Sequence, residues 1–160
     1  MALTIGDSLP DATLIKMGAE GPETVSTADI AAHGKAVIFA LPGAFTGTCT
    51  SAHVPSFLRT KEALAEKGVD EIICLAVNDP FVMDAWATSM GAEGITFLGD
   101  AESAFTKAIG MNFSAAPVGF VDRSLRYSLY AEDGVVKVLN DGDKPGECNL
   151  SAGETLLDQI

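Results

Sequence analysis

KAVIFALPGAFTGTCTSAHVPSFLRTKEALAEKGVDEIICLAV, residues 35–77, decides the architecture of this chain. Its two ends, Lys35 to Leu41 and Glu71 to Val77, are nearly continuous apolar runs. Parallel strands covered on both faces read this way. Between them Val54 to Lys67 has helical spacing, with Phe57, Leu58 and Leu64 on one side and Gly68 as the stop. The unit is therefore β-α-β, right-handed by the chirality of such crossovers. Beyond it, Asn78-Asp79-Pro80 opens a second helix over Phe81 to Met90, with Asp79 as N-cap and Pro80 in the first turn. Ile95 to Leu98 reads as a strand, and Asp100 to Ile109 as a helix stopped by Gly110. Ser124 to Tyr130 and Val135 to Leu139 flank Glu132-Asp133-Gly134, a hairpin signal. Ser151 to Ile160 reads as a terminal helix with Ser151 and Glu154 in capping-box register. Parallel strands first, an antiparallel hairpin later and a helix last predict an α/β fold: a mixed central sheet with helices on both faces, in three thioredoxin-like layers.

With 160 residues and no repeat or linker, residues 1–160 form a single domain. A hydrophobic fraction of 48% supplies a full core without disulfides or metal. Twenty-two acidic against ten basic side chains give a net charge of −12, so nothing here neutralises the phosphates of nucleic acid or an anionic membrane. No apolar run approaches the roughly 20 residues of a membrane-spanning helix. Met1 to Pro10 has neither the basic nor the apolar region of a signal peptide. Three cysteines, an odd count, speak against a secreted disulfide framework, and a cytoplasmic location is expected.

Chemistry concentrates in Leu41 to Phe57, LPGAFTGTCTSAHVPSF. A buried strand ends, Pro42-Gly43 turns the chain, and Cys49 stands just before a helix. Unpaired N–H groups and the helix dipole favour a thiolate there, and the thiolate is the nucleophilic form. Thr46 is close enough for its hydroxyl to donate to the sulfur or to a bound oxygen, and Pro42 can shield the sulfur from water. A buried core cysteine at a strand-to-helix turn explains the same spacing equally well. His53, one helical turn after Cys49, invites a Cys/His base pair of the kind that serves acyl transfer. His33, beside Gly34, reads as a turn residue, and two separated histidines without a Cys-x-x-Cys pair give no zinc site. Phe81, Met83 and Trp86 at helical spacing read as core.

Pro42, Thr46 and Cys49 also match the P-x-x-x-T-x-x-C signature of the peroxiredoxins, thiol peroxidases on a thioredoxin fold. PGAFTGTC resembles the type-5 subgroup with its plant type-II enzymes. The likeness continues through HVPSF, GVDEIICLAVNDPFVMDAW (68–86) and RYSLYAEDGVVKVLN (126–140). Gly47 departs from it, standing where many relatives have Pro.

The resemblance implies a peroxidase for hydrogen peroxide and organic hydroperoxides, needing no cofactor or metal and serving antioxidant defence. It makes Cys49 the attacking cysteine, passing through a sulfenic acid, and Arg126 the cation beside it, with Arg123 ranked lower. Cys148 and Cys74 are the resolving candidates. Cys74 has the spacing from Cys49 found in plant type-II relatives but lies in a buried strand. Cys148 sits in the polar loop Asp141 to Asn149, two residues short of the position that resolves in some type-5 relatives. The reductant implied is glutathione with glutaredoxin, or thioredoxin. A homodimer is also implied, with Pro42 to Phe45 and Phe81 to Trp86 supplying apolar contact. Two readings compete: a thiol–disulfide oxidoreductase, which would want a second cysteine at Thr46 or Ala52, and a redox-sensing or chaperone-like thiol switch.

Overall fold

A computed structural model describes residues 2–31 and 34–160. The reading of His33 lies outside the described residues. Strands β1 (Thr13–Gly18) and β2 (Gly21–Ser26) form an antiparallel hairpin, followed by the short helix α1 (Thr27–Ala31). Then come β3 (Lys35–Ala40), helix α2 (Val54–Glu66), β4 (Glu71–Ala76), helix α3 (Pro80–Met90) and β5 (Thr96–Gly99). Helix α4 (Ala104–Ala108), the small hairpin of β6 (Asn112–Ala115) and β7 (Phe120–Ser124), the hairpin of β8 (Tyr127–Glu132) and β9 (Val135–Asp141), and helix α5 (Gly153–Leu157) complete the chain.

The central sheet has seven strands in the order β2-β1-β5-β4-β3-β8-β9. β3, β4 and β5 run parallel, while β8 pairs antiparallel with β3, and β1 with β5. Strand alternation splits β3 between two cores. Val37 and Phe39 enter one with Phe57, Leu64, Trp86 and Leu156; Ala36, Ile38 and Ala40 enter the other with Leu14, Phe105, Leu129 and Val136. The first core lies under α2, α3 and α5, the second under α4 and the N-terminal segment, so helices cover both faces as the sequence predicts. No helix among the described residues is long and apolar enough to cross a membrane.

Local chemistry sets the boundaries. The Asp79 side chain accepts from Val82 N at 2.9 Å, capping α3, and Gly91 ends it in the left-handed conformation. Asp133 and Gly134 both take positive φ in the β8–β9 turn, the geometry of a two-residue I′ hairpin. Two helices come out shorter than the spacing predicts. The carboxylate of Asp100 is buried and accepts from the amides of Phe105 and Thr106, so α4 begins only at Ala104. The capping box at Ser151 does not form: the Ser151 hydroxyl donates to Asp143, and α5 starts at Gly153 with Ala152 as its uncapped N-cap. A Cβ on Gly153 would lie 2.5 Å from Ser56 O and from Thr60 Oγ1, so only glycine lets α5 approach α2 this closely. Gly153 N in turn donates to Ser56 Oγ at 2.9 Å.

Candidate active site

The turn after β3 is pinned to its neighbours before it reaches Cys49. Leu41 N donates to Leu75 O at 3.3 Å, and Ala44 N donates to the Asn78 side-chain carbonyl at 3.0 Å. Helical backbone starts at Gly47, and Cys49–His53 forms a π-helical turn in which Val54 N donates to Cys49 O. Pro55 explains the widening: it has no N–H to give the carbonyl four residues back, and its ring crowds that carbonyl. The turn points the Cys49 side chain inward. Cys49 is 1% exposed and joins the core that holds Phe39, Phe57 and Trp86.

Arg126, in the connection before β8, donates through Nη2 to Cys49 Sγ at 3.2 Å and through Nη1 to His53 Nδ1 at 2.9 Å. Arg123, in β7, is also drawn to this turn but not to the sulfur. It donates to Pro42 O at 3.0 Å, and its guanidinium carbon lies 4.9 Å from the centre of the Phe120 ring. Gly43 leaves it room, since a Cβ there would fall 2.4 Å from Arg123 Nη1. Thus Arg126 holds the sulfur, and Arg123 braces the loop around it.

Thr46 departs from the expectation that its hydroxyl donates to the sulfur or to a bound oxygen. Its proton goes to Gly43 O at 2.7 Å, which leaves the oxygen as an acceptor. Pro42, Thr46 and Arg126 line one cavity of about 510 Å³, walled on its other sides by Phe113, Val118 and Phe120.

His53 is the residue whose part the sequence reading missed. It is fully buried against Phe39 and Phe57, with ring centroids 5.1 and 5.8 Å away, and its Nε2 lies 3.1 Å from Ser151 O. Burial, and then the Arg126 charge, push its pKa down from 6.5 to about 3. Both ring nitrogens are engaged, so His53 is not a base for Cys49; its position four residues after Cys49 was the one signal available.

All three cysteines are free. Cys74 pairs with Phe39 and Phe97 in mid-sheet, and burial raises its pKa well above the ordinary thiol value, with the nearby Cys49 adding to the rise. Cys148 is half-buried; burial raises its pKa too, and its sulfur lies 4.0 Å from Ser151 Oγ. Of the segment Phe81 to Trp86, Met83 and Trp86 are core residues and Trp86 donates to Thr50 Oγ1, whereas Phe81 is 63% exposed. Trp86 is therefore unavailable for a subunit contact, and Phe81 does not belong to the core. No group of three or more His, Cys, Asp or Glu stands together as a metal site among the described residues.

Residues 4–157 match the Redoxin family. The chain is 45% identical over 161 residues to peroxiredoxin-2E-2, chloroplastic, of Oryza sativa subsp. japonica, covering 97% of this chain and 71% of that protein. It is 40% identical to peroxiredoxin-2C of the same plant, covering 97% and 96%. The crystal structure of reduced Prx3 in complex with hydrogen peroxide from Vibrio vulnificus superimposes with a TM-score of 0.92, at 39% identity and 98% coverage of both chains. A thioredoxin-like sheet, a cysteine in the helical turn that follows its third strand and these relatives lead to one conclusion: the chain belongs to the redoxin family, as a peroxiredoxin of the plant type-II kind, a thiol-dependent peroxidase.

Proposed function

We propose that Cys49 is the cysteine that reduces the peroxide, with Arg126 and Thr46 as catalytic partners and Pro42 as the shield of the sulfur. The observation that carries this is the Arg126 Nη2 to Cys49 Sγ hydrogen bond of 3.2 Å. A guanidinium cannot be deprotonated in a protein, so the sulfur faces a permanent cation inside a low-dielectric pocket. The thiolate attacks the terminal oxygen of the hydroperoxide and the O–O bond breaks. Sulfur gains that oxygen with its hydrogen as a sulfenic acid. The electron pair leaves on the other oxygen, which takes up a proton as water or an alcohol. Arg126 keeps further N–H groups for the charge developing on oxygen. Thr46, its own proton committed to Gly43 O, accepts from the terminal O–H of the peroxide. The apolar walls of the cavity suit the organic part of a hydroperoxide as well as hydrogen peroxide itself.

Reset goes through an external thiol, glutathione with glutaredoxin, ahead of thioredoxin. Cys74 is sealed in the sheet, and Cys148 sits in a loop tied down by Asp143, so a disulfide to Cys49 needs that loop to move. The exposed Phe45 and Phe81, 57% and 63% accessible, favour a homodimer through this side of the molecule. Three free thiols fit a reducing compartment such as the cytoplasm.

Rapid mixing of the reduced protein with one equivalent of peroxide tests the site. Cys74→Ser and Cys148→Ser should each keep the full burst and Cys49→Ser should lose it. A burst of normal size in Cys49→Ser would refute the assignment. Oxidation in the presence of glutathione tests the reset: a quantitative Cys49–Cys148 disulfide forming faster than the glutathione adduct would reverse the preference. Phe81→Asp should lower the sedimentation coefficient at micromolar concentration if the dimer reading is right.

A further inference from the structure

A continuous line of hydrogen bonds joins the Cys49 sulfur to the loop that carries Cys148. Arg126 donates to both Cys49 Sγ and His53 Nδ1, at 3.2 and 2.9 Å. His53 Nε2 reaches Ser151 O at 3.1 Å, and Ser151 N donates to Asp143 Oδ2 at 3.0 Å. Asp143 also accepts from the amides of Asn149 and Leu150, at 3.1 and 2.8 Å, and so shapes the loop as a whole. The partners settle the histidine tautomer. A guanidinium can only donate and a carbonyl can only accept, so His53 accepts at Nδ1 and carries its one proton on Nε2.

We propose that neutral His53 is the positioning residue for Arg126, aiming its guanidinium at Cys49 and fixing that aim to the 143–151 loop. The inference rests on the reading of Cys49 and Arg126 given above. Its physical basis is a division of labour. An arginine is normally oriented by a carboxylate, but a carboxylate would offset the charge that the thiolate needs. None of the ion pairs among the described residues involves Arg126. A neutral acceptor provides the geometry without taking the charge. Burial against the stacked rings of Phe39 and Phe57 keeps the ring in place, and the depressed pKa of about 3 keeps it neutral near neutral pH. Positioning errors of about 1 Å at a reacting centre can cost on the order of 100-fold in rate, so a lost acceptor next to a flexible arginine has a measurable consequence.

The loop end of the line has a second anchor, Thr48 Oγ1 donating to Gly146 O at 3.0 Å. Loosening the loop therefore relaxes the arginine as well as freeing Cys148.

His53→Leu and His53→Gln separate this role from packing. Leucine fills space with neither donor nor acceptor. Glutamine restores an acceptor for Arg126 and a donor for Ser151 O. Peroxide attack followed in a single turnover should slow by about tenfold or more in His53→Leu and recover to within about threefold of wild type in His53→Gln. An unchanged rate in His53→Leu would overturn the proposal, as would equal slowing in both variants with similar unfolding temperatures. Should the leucine variant not fold, Asp143→Ala probes the same line from its surface end. There attack should slow by about threefold, and an unchanged rate would overturn the proposal. Cys49→Ser runs alongside: attack surviving in that variant would overturn the site reading and this inference together, whereas a silent Cys49→Ser beside a fast His53→Leu would overturn the inference alone.

Discussion

Cys49 and Cys148 sit in two regions that touch one another and are built in opposite ways. Cys49 follows a central strand, faces a core of aromatic rings and holds a fixed cation. Cys148 lies on an irregular loop whose shape comes from amides gathered by the Asp143 carboxylate. There burial raises the thiol pKa, and the Asp143 and Glu154 charges add to the rise against the Ser151 hydrogen bond and Arg126. The contrast separates the two halves of a thiol peroxidase. Attack on peroxide needs a preorganised site, which the turn pinned between β3 and α2 supplies. Resetting needs the sulfur to be reached by another thiol, which a loop held by a few surface hydrogen bonds can allow.

The largest expected effect breaks the contrast at its rigid end. Arg126→Ala should raise the barrier to peroxide attack by about 2–4 kcal/mol, the usual loss for a preorganised donor, while Arg123→Ala should cost clearly less. Rapid-mixing rates for the two variants decide it, and the reverse order would move the catalytic cation to Arg123.

Acid should weaken the link between the two regions. The folded pKa of His53 is about 3 against 6.5 unfolded. The unfolded chain therefore takes up a proton below pH 6.5 that the folded one refuses. Stability is full above that pH and falls as pH drops through the window, by up to about 1.4 kcal/mol per unit. Arg126 and Asp143 are the charges acting on the ring, and Asp143, its pKa lowered from 3.8, stays ionised above pH 4. Denaturant unfolding between pH 6.5 and 4.5 should show wild type losing more stability than His53→Gln; parallel curves would contradict the assignment.

Gly153→Ala sharpens the loop end. Its Cβ would collide with the α2 backbone at Ser56, which should destabilise the fold by about 1–3 kcal/mol. Thermal unfolding measures this, and a neutral result would mean that α5 shifts freely on α2.

The smallest effect concerns Gly47. A Cβ there meets nothing within 4 Å, and the residue opens the helical stretch without a positive φ. Proline suits a first helical position, so Gly47→Pro should stabilise by about 0.4–1 kcal/mol with activity kept. A loss of activity would show that the turn needs the freedom glycine gives.

How much of this the sequence carried follows from where each signal is local. β3, α2, β4 and α3 are legible because buried parallel strands are continuously apolar and Asp79-Pro80 caps on its own terms. The β1–β2 hairpin is not legible in the sequence because both strands are largely half-exposed or exposed and lack clean alternation. The capping box at Ser151 failed for a tertiary reason, since Asp143 claims the hydroxyl that the local pattern assigns to the helix. Cys49 stands out by its place between strand and helix. Arg126 and Arg123 are indistinguishable by spacing, and only the resemblance ranked them. His53 could not be read as a partner of Arg126, because a contact across 73 positions leaves no trace in periodicity.

The central claim is that peroxide oxidises Cys49 because of its surroundings, ahead of the other two thiols. The direct measurement is mass spectrometric mapping of the reduced protein after one equivalent of peroxide and a sulfenic-acid trap. The account predicts the trapped adduct on Cys49, with Cys74 and Cys148 unmodified, and its formation slowed in Arg126→Ala. Adduct appearing first on Cys148, or forming on Cys49 at an undiminished rate in Arg126→Ala, would contradict it.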